Sequence, residues 1–414
     1  MKLSDAKKKP ILARHYLERY VNDGSPSGFT DLYRTSPNTD QFGLKPWFHL
    51  FICKAPKDWF VTFGEIPTWP SQEKNDWIFL HPDMQDKIKS MSEQLVVEVF
   101  EDPRVTPTAS SRTVQFVGKR YHDYVKLHYD GTIGRVNRSL PYVKAISGPE
   151  ISRELLTALD TRILPESLSI MPEVGARILR VPSCNQLGAS QEIGMVWRLN
   201  KPHGPKAEHI HHIWPLFSLF STDRLSPLDD YVLKQIIDVR KEHQDDFVLH
   251  KLIYPIVDCY FDLILKLGYQ VECNAQNLMI GLNEEFDIVS IIIRDIGRFE
   301  KDITIRKSLD LPVEYESYPY KCISKEKELY QIRHSFAFDF KLNEYVITPI
   351  VNIVCDEYGS SSSVIERKIR DYIAHYLRLL PKDYFPDDGK WYKHERILLV
   401  QKRPYVQMPN PKYR

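Results

Sequence analysis

The chain has 414 residues, long for one core, so two or three domains are expected. At 43% hydrophobic and 12% aromatic it can fill ordinary globular cores. Fifty-six basic residues against fifty-five acidic ones leave almost no net charge, which argues against a broad nucleic-acid surface but not against a local anion site.

The first residues, MKLSDAKKKP, have basic groups but no apolar stretch behind them, so no signal peptide is evident. No uncharged apolar run approaches a membrane span. The six cysteines (Cys53, Cys184, Cys259, Cys273, Cys322, Cys355) are scattered without a CxxC pair and read as reduced thiols of a cytoplasmic protein. Residues 1–90 are rich in proline and aromatic residues, as in KPWFHLF (45–51) and IPTWPSQ (66–72), and predict short helices and loops. Within them, 76–85 reads as a strand leading into a turn at His81-Pro82. From 91 to 200, short apolar runs alternate with turn residues: 95–100, 113–117, 124–128 and 178–181. These predict a mostly antiparallel sheet, with one helix over 148–159 opened by Gly148-Pro149.

Two polar groups stand out in that stretch. One is Ser110-Ser111-Arg112-Thr113; the other is Lys126, with Arg135 and Arg138 after it. Hydroxyls around a forked guanidinium, with a lysine on a neighbouring strand, suit a triphosphate; a solvated basic strand face is the alternative. Residues 201–215, KPHGPKAEHIHHIWP, carry His203, His209, His211 and His212 at spacings that match no closed zinc motif, and read as part of a linker over 201–228, with a histidine-bound metal as the alternative. From 229 the pattern turns helical. Asp229 or Asp230 is placed to cap a helix reaching Arg240, and 251–267 is apolar at helical spacing with Gly268 as its terminator. Ser363 and Glu366 fit a capping box before a helix whose apolar face includes Ile365, Ile369 and Ile373. Residues 390–400 predict another helix and MPNPKYR an extended end.

Between these helices, 268–295 reads as a loop (272–277) and a β-hairpin: apolar runs 278–282 and 288–293 flank the turn Asn283-Glu284-Glu285. The hairpin brings Asn277 beside Asp295. An amide and a carboxylate so placed can hold Mg²⁺ and orient phosphates, as in a kinase core; a turn cap and a solvated strand end are the plainer roles.

Together these segments resemble the NRPS-independent siderophore (NIS) synthetases of the IucA/IucC type. Ser110-Ser111-Arg112-Thr113 fits the family's SxRT element, and Lys126-Leu127 with Arg138 fits its Lys-Leu strand and TSxxR element, although Gly134-Arg135 replaces the Thr-Ser pair. Gly148-Pro149-Glu150-Ile151-Ser152 fits GPxIS, and Ile178-Leu179-Arg180 fits ILR. Residues 272–277, ECNAQN, fit EAHxQN with Asn274 in place of the histidine, and Arg294-Asp295 fits RD. His81-Pro82 and Gln85 fit HPWQ without its tryptophan. An upstream GHPxHPxxK element is not found.

The resemblance implies an α+β, hand-like fold. Residues 1–90 are expected to form a shortened thumb-like region, 91–200 β-rich fingers with the phosphate cradle, 201–228 a linker, and 229–414 a largely helical, kinase-like palm. It implies an ATP-dependent ligase that activates a carboxylate as an acyl-adenylate and condenses it with an amine or hydroxyl in siderophore or related natural-product biosynthesis. Its cofactors would be ATP and Mg²⁺. The nucleotide would be held by Ser110, Arg112, Thr113, Lys126, Arg138, Gln276, Asn277 and Asp295, the metal by Asn277, Asp295 and Glu272. Lys126, Arg138 and Asn274 are placed for catalysis. Partners would be small molecules only, neither nucleic acid nor membrane, with a homodimer left open. Asn274 cannot carry the charge of a histidine, so a polycarboxylate is expected to be held less well. A phosphotransferase and an altered relative that binds only nucleotide or a partner remain alternatives.

Overall fold

A computed structural model describes residues 2–23, 48–67, 75–110, 112–117, 122–133, 136–182, 191–326, 329–387, 389–394 and 405–414. The strands in chain order are β1 (Phe48–Pro56), β2 (Phe60–Gly64), β3 (Asn75–Leu80), β4 (Val96–Pro107), β5 (Thr113–Val117) and β6 (Tyr124–Leu127). A two-residue pair, β7 (Thr132–Ile133) and β8 (Val136–Asn137), follows. Then come β9 (Leu168–Ile170), β10 (Glu173–Val181), β11 (Gln191–Arg198), β12 (His212–Pro215), β13 (Tyr269–Gln270), β14 (Leu278–Leu282) and β15 (Ile288–Ile293).

Eight strands form one sheet in the order β2-β10-β11-β6-β5-β4-β1-β3, antiparallel at every pairing. A second sheet, β12-β14-β15-β9, contains the expected hairpin, with Leu278 opposite Ile293. β14 (LMIGL) is buried at every position, as suits a strand covered on both faces. The helix Ser362–Leu377 packs on the helix Tyr254–Leu267, which itself packs against β15 and buries Val257, Tyr260, Phe261 and Ile264. Each such side chain fully removed from water contributes about 1.5–3 kcal/mol. Gly268 ends that helix at φ 63°, the left-handed conformation in which glycine carries no Cβ penalty.

Only Met171 and Pro172 separate β9, in the second sheet, from β10, in the first. Met171 N–H donates to Ile293 of the hairpin (2.9 Å), and Pro172 C=O accepts from Leu199 N–H at the end of β11 (2.9 Å).

Several sequence expectations are corrected. Residues 1–90 hold the short helices expected, Leu3–Lys8 and Pro10–Tyr20, and the strand expected from 76 is β3; unexpected are β1 and β2, which join β3 in the large sheet, so that sheet runs across residue 90. Alternating burial along β1 outweighs the turn-rich composition around it. The helix expected from Gly148 begins at Tyr142, because Lys144 and Ala145 N–H already bond to Pro141 C=O; Pro149 sits inside it. The 201–228 stretch is more than a linker, since β12 pairs with β14. Its histidines have separate partners: His203 meets Asp160 at 2.7 Å, His211 meets Glu284 at 3.4 Å, and His212 stacks on Phe286. The helix assigned to Asp229 or Asp230 as caps starts at Val232 after Tyr231. Ser363 forms no capping box, because Glu366 is drawn to Lys412 (3.0 Å) and the helix starts at Ser362. Lys390–His394 is a strand paired with Tyr405–Pro409, not a helix; 395–404 lie outside the described residues. Beyond that strand the extended end docks firmly: Tyr413 is buried and Arg414 pairs with Asp339 at 2.9 Å. Cys53, Cys259, Cys273, Cys322 and Cys355 are free thiols; Ser111, Gly134, Arg135 and Cys184 lie outside the described residues. No helix among the described residues is long and apolar enough to cross a membrane.

Candidate functional site

The loop between β4 and β5 is shaped by its own hydroxyls. Thr108 Oγ1 donates to Thr113 C=O (2.8 Å), and Ser110 Oγ accepts from Thr113 N–H (3.0 Å). Thr113 then lies directly opposite Lys126 in the β5–β6 register. Arg112 C=O accepts from Leu127 N–H (2.9 Å), and its guanidinium donates to the carbonyl of Arg138. The expected cradle residues Ser110, Arg112, Thr113, Lys126 and Arg138 therefore line one cleft.

The electrostatics of that cleft favour an anion. Burial, then Arg138 and Arg298, push the Arg112 guanidinium down to about 9. Burial, then Arg298, pushes Arg138 down to about 10, so both remain charged at neutral pH. Among the described residues, Arg138 Nε and Arg198 Nε are buried without a hydrogen-bond partner. Buried N–H groups are rarely left so, and phosphate oxygens satisfy guanidinium donors well.

The opposite wall comes from the hairpin of the second sheet. Arg294 N–H donates to Asn277 C=O (2.9 Å), which brings Asp295 to the same end as Asn277. Asp295 has φ 64°, an uncommon conformation for a residue with a Cβ and one that recurs at functional sites. Its Oδ1 accepts from Lys126 Nζ and from Arg198 (3.2 Å), and Arg298 lies 3.5 Å from Oδ2. Burial pushes the Asp295 carboxyl up, but Lys126, Arg198 and Arg298 outweigh it and hold the group well below the usual carboxylate range. A first-sheet lysine thus meets, across the cleft, an aspartate just past the end of β15.

The rest of the ECNAQN loop divides its tasks. Gln276 and Asn277 line the cleft. Asn274 is buried, and its Oδ1 accepts from the N–H groups of Gln276 and Asn277 (3.0 Å each), so its side chain shapes the loop. It does not line the cleft, and this geometry lends no support to a catalytic assignment. Nor are the three expected metal ligands gathered. Asp295 and Asn277 share the cleft, while Glu272 lines a neighbouring cavity and lies 3.8 Å from Lys341. Among the described residues, no group of three or more His, Cys, Asp or Glu could hold a metal ion. One carboxylate with one amide oxygen still suits Mg²⁺, which draws most of its ligands from phosphates and water.

The neighbouring cavity holds Arg298, Lys321, Arg333 and Lys341 against Glu272 and Glu300, a cationic excess. Arg298, which also reaches Asp295, connects it to the cradle.

Four charged residues tied to this site escaped the sequence reading. Arg198 ends β11 and Glu173 begins β10, each in an unremarkable strand context. Glu18, on the Pro10–Tyr20 helix, pairs with Arg294, 276 residues away. Arg298 carried a signal, three residues beyond Asp295, as an i,i+3 partner.

A family model described as the IucA / IucC family matches residues 65–221. No curated protein matches the chain. Among solved structures, ATP-bound aerobactin synthetase IucA from a hypervirulent pathotype of Klebsiella pneumoniae superposes with TM-score 0.70 at 14% identity, over 99% of this chain and 80% of that one. Petrobactin biosynthesis protein AsbB from Bacillus anthracis str. Sterne gives TM-score 0.68 at 15% identity, over 96% of this chain and 75% of that one. Aerobactin synthetase IucC from the same Klebsiella pathotype gives TM-score 0.67 at 13% identity, over 97% and 82%. The family resemblance and the α+β hand-like fold read from the sequence are borne out.

Proposed function

We propose that this chain, which carries the IucA / IucC family match and the NIS synthetase fold, is an ATP-dependent ligase that joins a carboxylic acid to an amine or hydroxyl in siderophore or related biosynthesis. The observation that carries this reading is the cleft in which Arg112, Lys126, Arg138 and Arg198 face Asp295 and Asn277, with two buried guanidinium N–H groups awaiting an acceptor. Arg112, Arg138, Arg198 and Lys126 bind the triphosphate, and the hydroxyls of Ser110 and Thr113 take further oxygens. Asp295 and Asn277 would hold Mg²⁺, which supplies charge neutralisation of the phosphates.

The acid lies in the neighbouring cavity, where Arg298, Lys321, Arg333 and Lys341 supply the positive charge that Asn274 lacks. This weakens the expectation that polycarboxylates are held poorly. One carboxylate oxygen attacks the α-phosphorus, the bond to the bridging oxygen breaks, and pyrophosphate leaves. The amine or hydroxyl then attacks the acyl carbon, loses its proton, and expels AMP. The cationic cradle stabilises charge building on the phosphates. The location is taken to be cytoplasmic.

The test is product analysis with MgATP, a panel of mono-, di- and tricarboxylic acids, and diamine or hydroxylamine acceptors. Pyrophosphate and AMP released in an acid-dependent way are the expected products. ADP would overturn the adenylation chemistry. Nucleotide bound without turnover on any acid would favour the binding-only alternative that Asn274 raised.

A further inference from the structure

The Gly148–Ser152 segment, which the proposed function leaves without a task, surrounds one buried carboxylate. Glu173 is 1% exposed. Its backbone N–H donates to Ser152 Oγ (3.0 Å). Its Oε2 accepts from Gly297 N–H (3.2 Å), in the turn that follows Asp295. Its Oε1 accepts from Arg198 (2.6 Å) and lies 3.8 Å from Lys126 Nζ. A Cβ placed on Gly148 would come within 1.8 Å of Glu173 Oε2, and one on Gly297 within 3.2 Å of Gly148 N. Tied on both oxygens, the carboxylate cannot swing away to make room.

We infer that Gly148 and Ser152 form a seat for Glu173, and that Glu173 is a positioning residue that aims Lys126 and Arg198 into the cleft while fixing the Asp295–Arg298 turn. The inference deepens the nucleotide reading above and rests on it. Its physical logic concerns competition for two cations. Lys126 and Arg198 both touch Asp295, yet a metal ion or phosphate must also draw on those groups. Asp295 alone cannot serve as their anchor and as a metal ligand. Glu173, which does not line the cleft, holds both cations within reach whichever partner Asp295 takes. Its bond to Gly297 ties the large sheet to the turn, so cations and carboxylate keep one spacing.

Calorimetric MgATP titration of Glu173→Gln, Glu173→Asp and the parent tests the aiming role. Glu173→Gln keeps the size and loses the charge, and its Kd should rise roughly 10–100-fold, the range for residues that orient ligands from behind. Glu173→Asp, which keeps the charge, should recover most of the affinity. Parent-like binding by Glu173→Gln overturns the aiming role, and so does Glu173→Asp as weak as Glu173→Gln. Thermal unfolding tests the seat separately, with no ligand. Gly148→Ala should lower Tm markedly in the parent and much less in Glu173→Ala, where the carboxylate at 1.8 Å is gone and only the Cβ contact at 3.2 Å remains. Equal losses in both backgrounds refute the seat. If the parent binds no MgATP, the nucleotide reading and the aiming role fail together, while the thermal cycle still decides the seat.

Discussion

Replacing Glu18 should destabilise the protein more than replacing any exposed acidic residue, because it is the sole buried carboxylate that the described structure shows on Arg294. Glu18 is 2% exposed and Arg294 5%. Glu18 Oε1 accepts from Arg294 Nη1 and Oε2 from Nη2 (3.3 Å), and Oε2 also accepts from Ala109 N–H (3.1 Å) beside the cradle loop. Arg294 Nε in turn donates to Gln276 C=O (2.7 Å). One ion pair therefore ties the N-terminal helix, the cradle loop and the ECNAQN loop together. Removing one partner of such a pair strands the other charge in low dielectric, at a cost of about 3–5 kcal/mol. The exposed pair Lys325–Asp383, 3.5 Å apart with half-exposed side chains, sets the contrast: its loss should cost about 0–1 kcal/mol. Urea unfolding of Glu18→Ala, Glu18→Gln and Asp383→Asn side by side measures both. Burial pushes the Glu18 carboxyl up, but Arg294 outweighs it and holds the group below its ordinary 4.5. The folded value is thus the lower one, so the stabilisation is present above the unfolded value and lost as pH falls through the folded one. The gap between parent and Glu18→Gln should be widest near neutrality and shrink in acid. A Glu18→Ala variant within 1 kcal/mol of the parent would refute the reasoning, as would a gap that widens as pH falls.

Three further outcomes are expected. Arg112→Ala should weaken MgATP binding by roughly tenfold or more, the loss of about 1.5–3 kcal/mol in charged hydrogen bonds, with the fold retained by circular dichroism; unchanged affinity removes Arg112 from the cradle. Asp295→Asn should abolish most of the Mg²⁺ dependence of nucleotide binding, and an unaltered Mg²⁺ titration would return Asp295 to a purely structural ion pair. Asp339 is the opposite case to Glu18: burial outweighs Arg414 and Ser335 and pushes it up from 3.8 to about 6. Its folded value is the higher one, so its share of stability is full below the unfolded value and is lost as pH rises through about 6; Asp339→Asn should remove a slope worth about 3 kcal/mol between those limits, and identical urea midpoints across pH 4–7 relative to the parent would count against it.

The sequence carried those parts of the site whose partners are close in the chain. The hairpin 278–293 was readable because two apolar runs flank an Asn/Glu turn, and the Asn277–Asp295 proximity followed from that pairing alone. Gly268 was readable because a helix end asks for one backbone conformation. Glu173 and Glu18 were not readable. A lone glutamate at the head of a strand or on a short helix looks like solvated surface until the chain folds a distant cation onto it. The 390–394 segment went wrong for a related reason. Its apolar content fits a helix, but its partner strand, 405–409, lies beyond ten intervening residues. For Asn274 the family pattern suggested a substrate contact, and its hydrogen bonds add a role that the pattern does not carry, the shaping of its own loop.

The two-residue junction Met171-Pro172 has a mechanical consequence. It is one taut thread shared by both sheets, bonded to Ile293 on one side and Leu199 on the other, with a proline to stiffen it. Jaws joined so closely behave as a fixed-gap clamp, and little hinge travel is available at that corner. A ligand spanning Lys126 and Asp295 then works as a second rivet across the same seam. Its grip and the resistance of the whole molecule to heat become one quantity measured twice: the melting temperature should climb with nucleotide concentration along the mass-action curve, and slack inserted between Ile170 and Glu173 should flatten that climb before it destroys the fold.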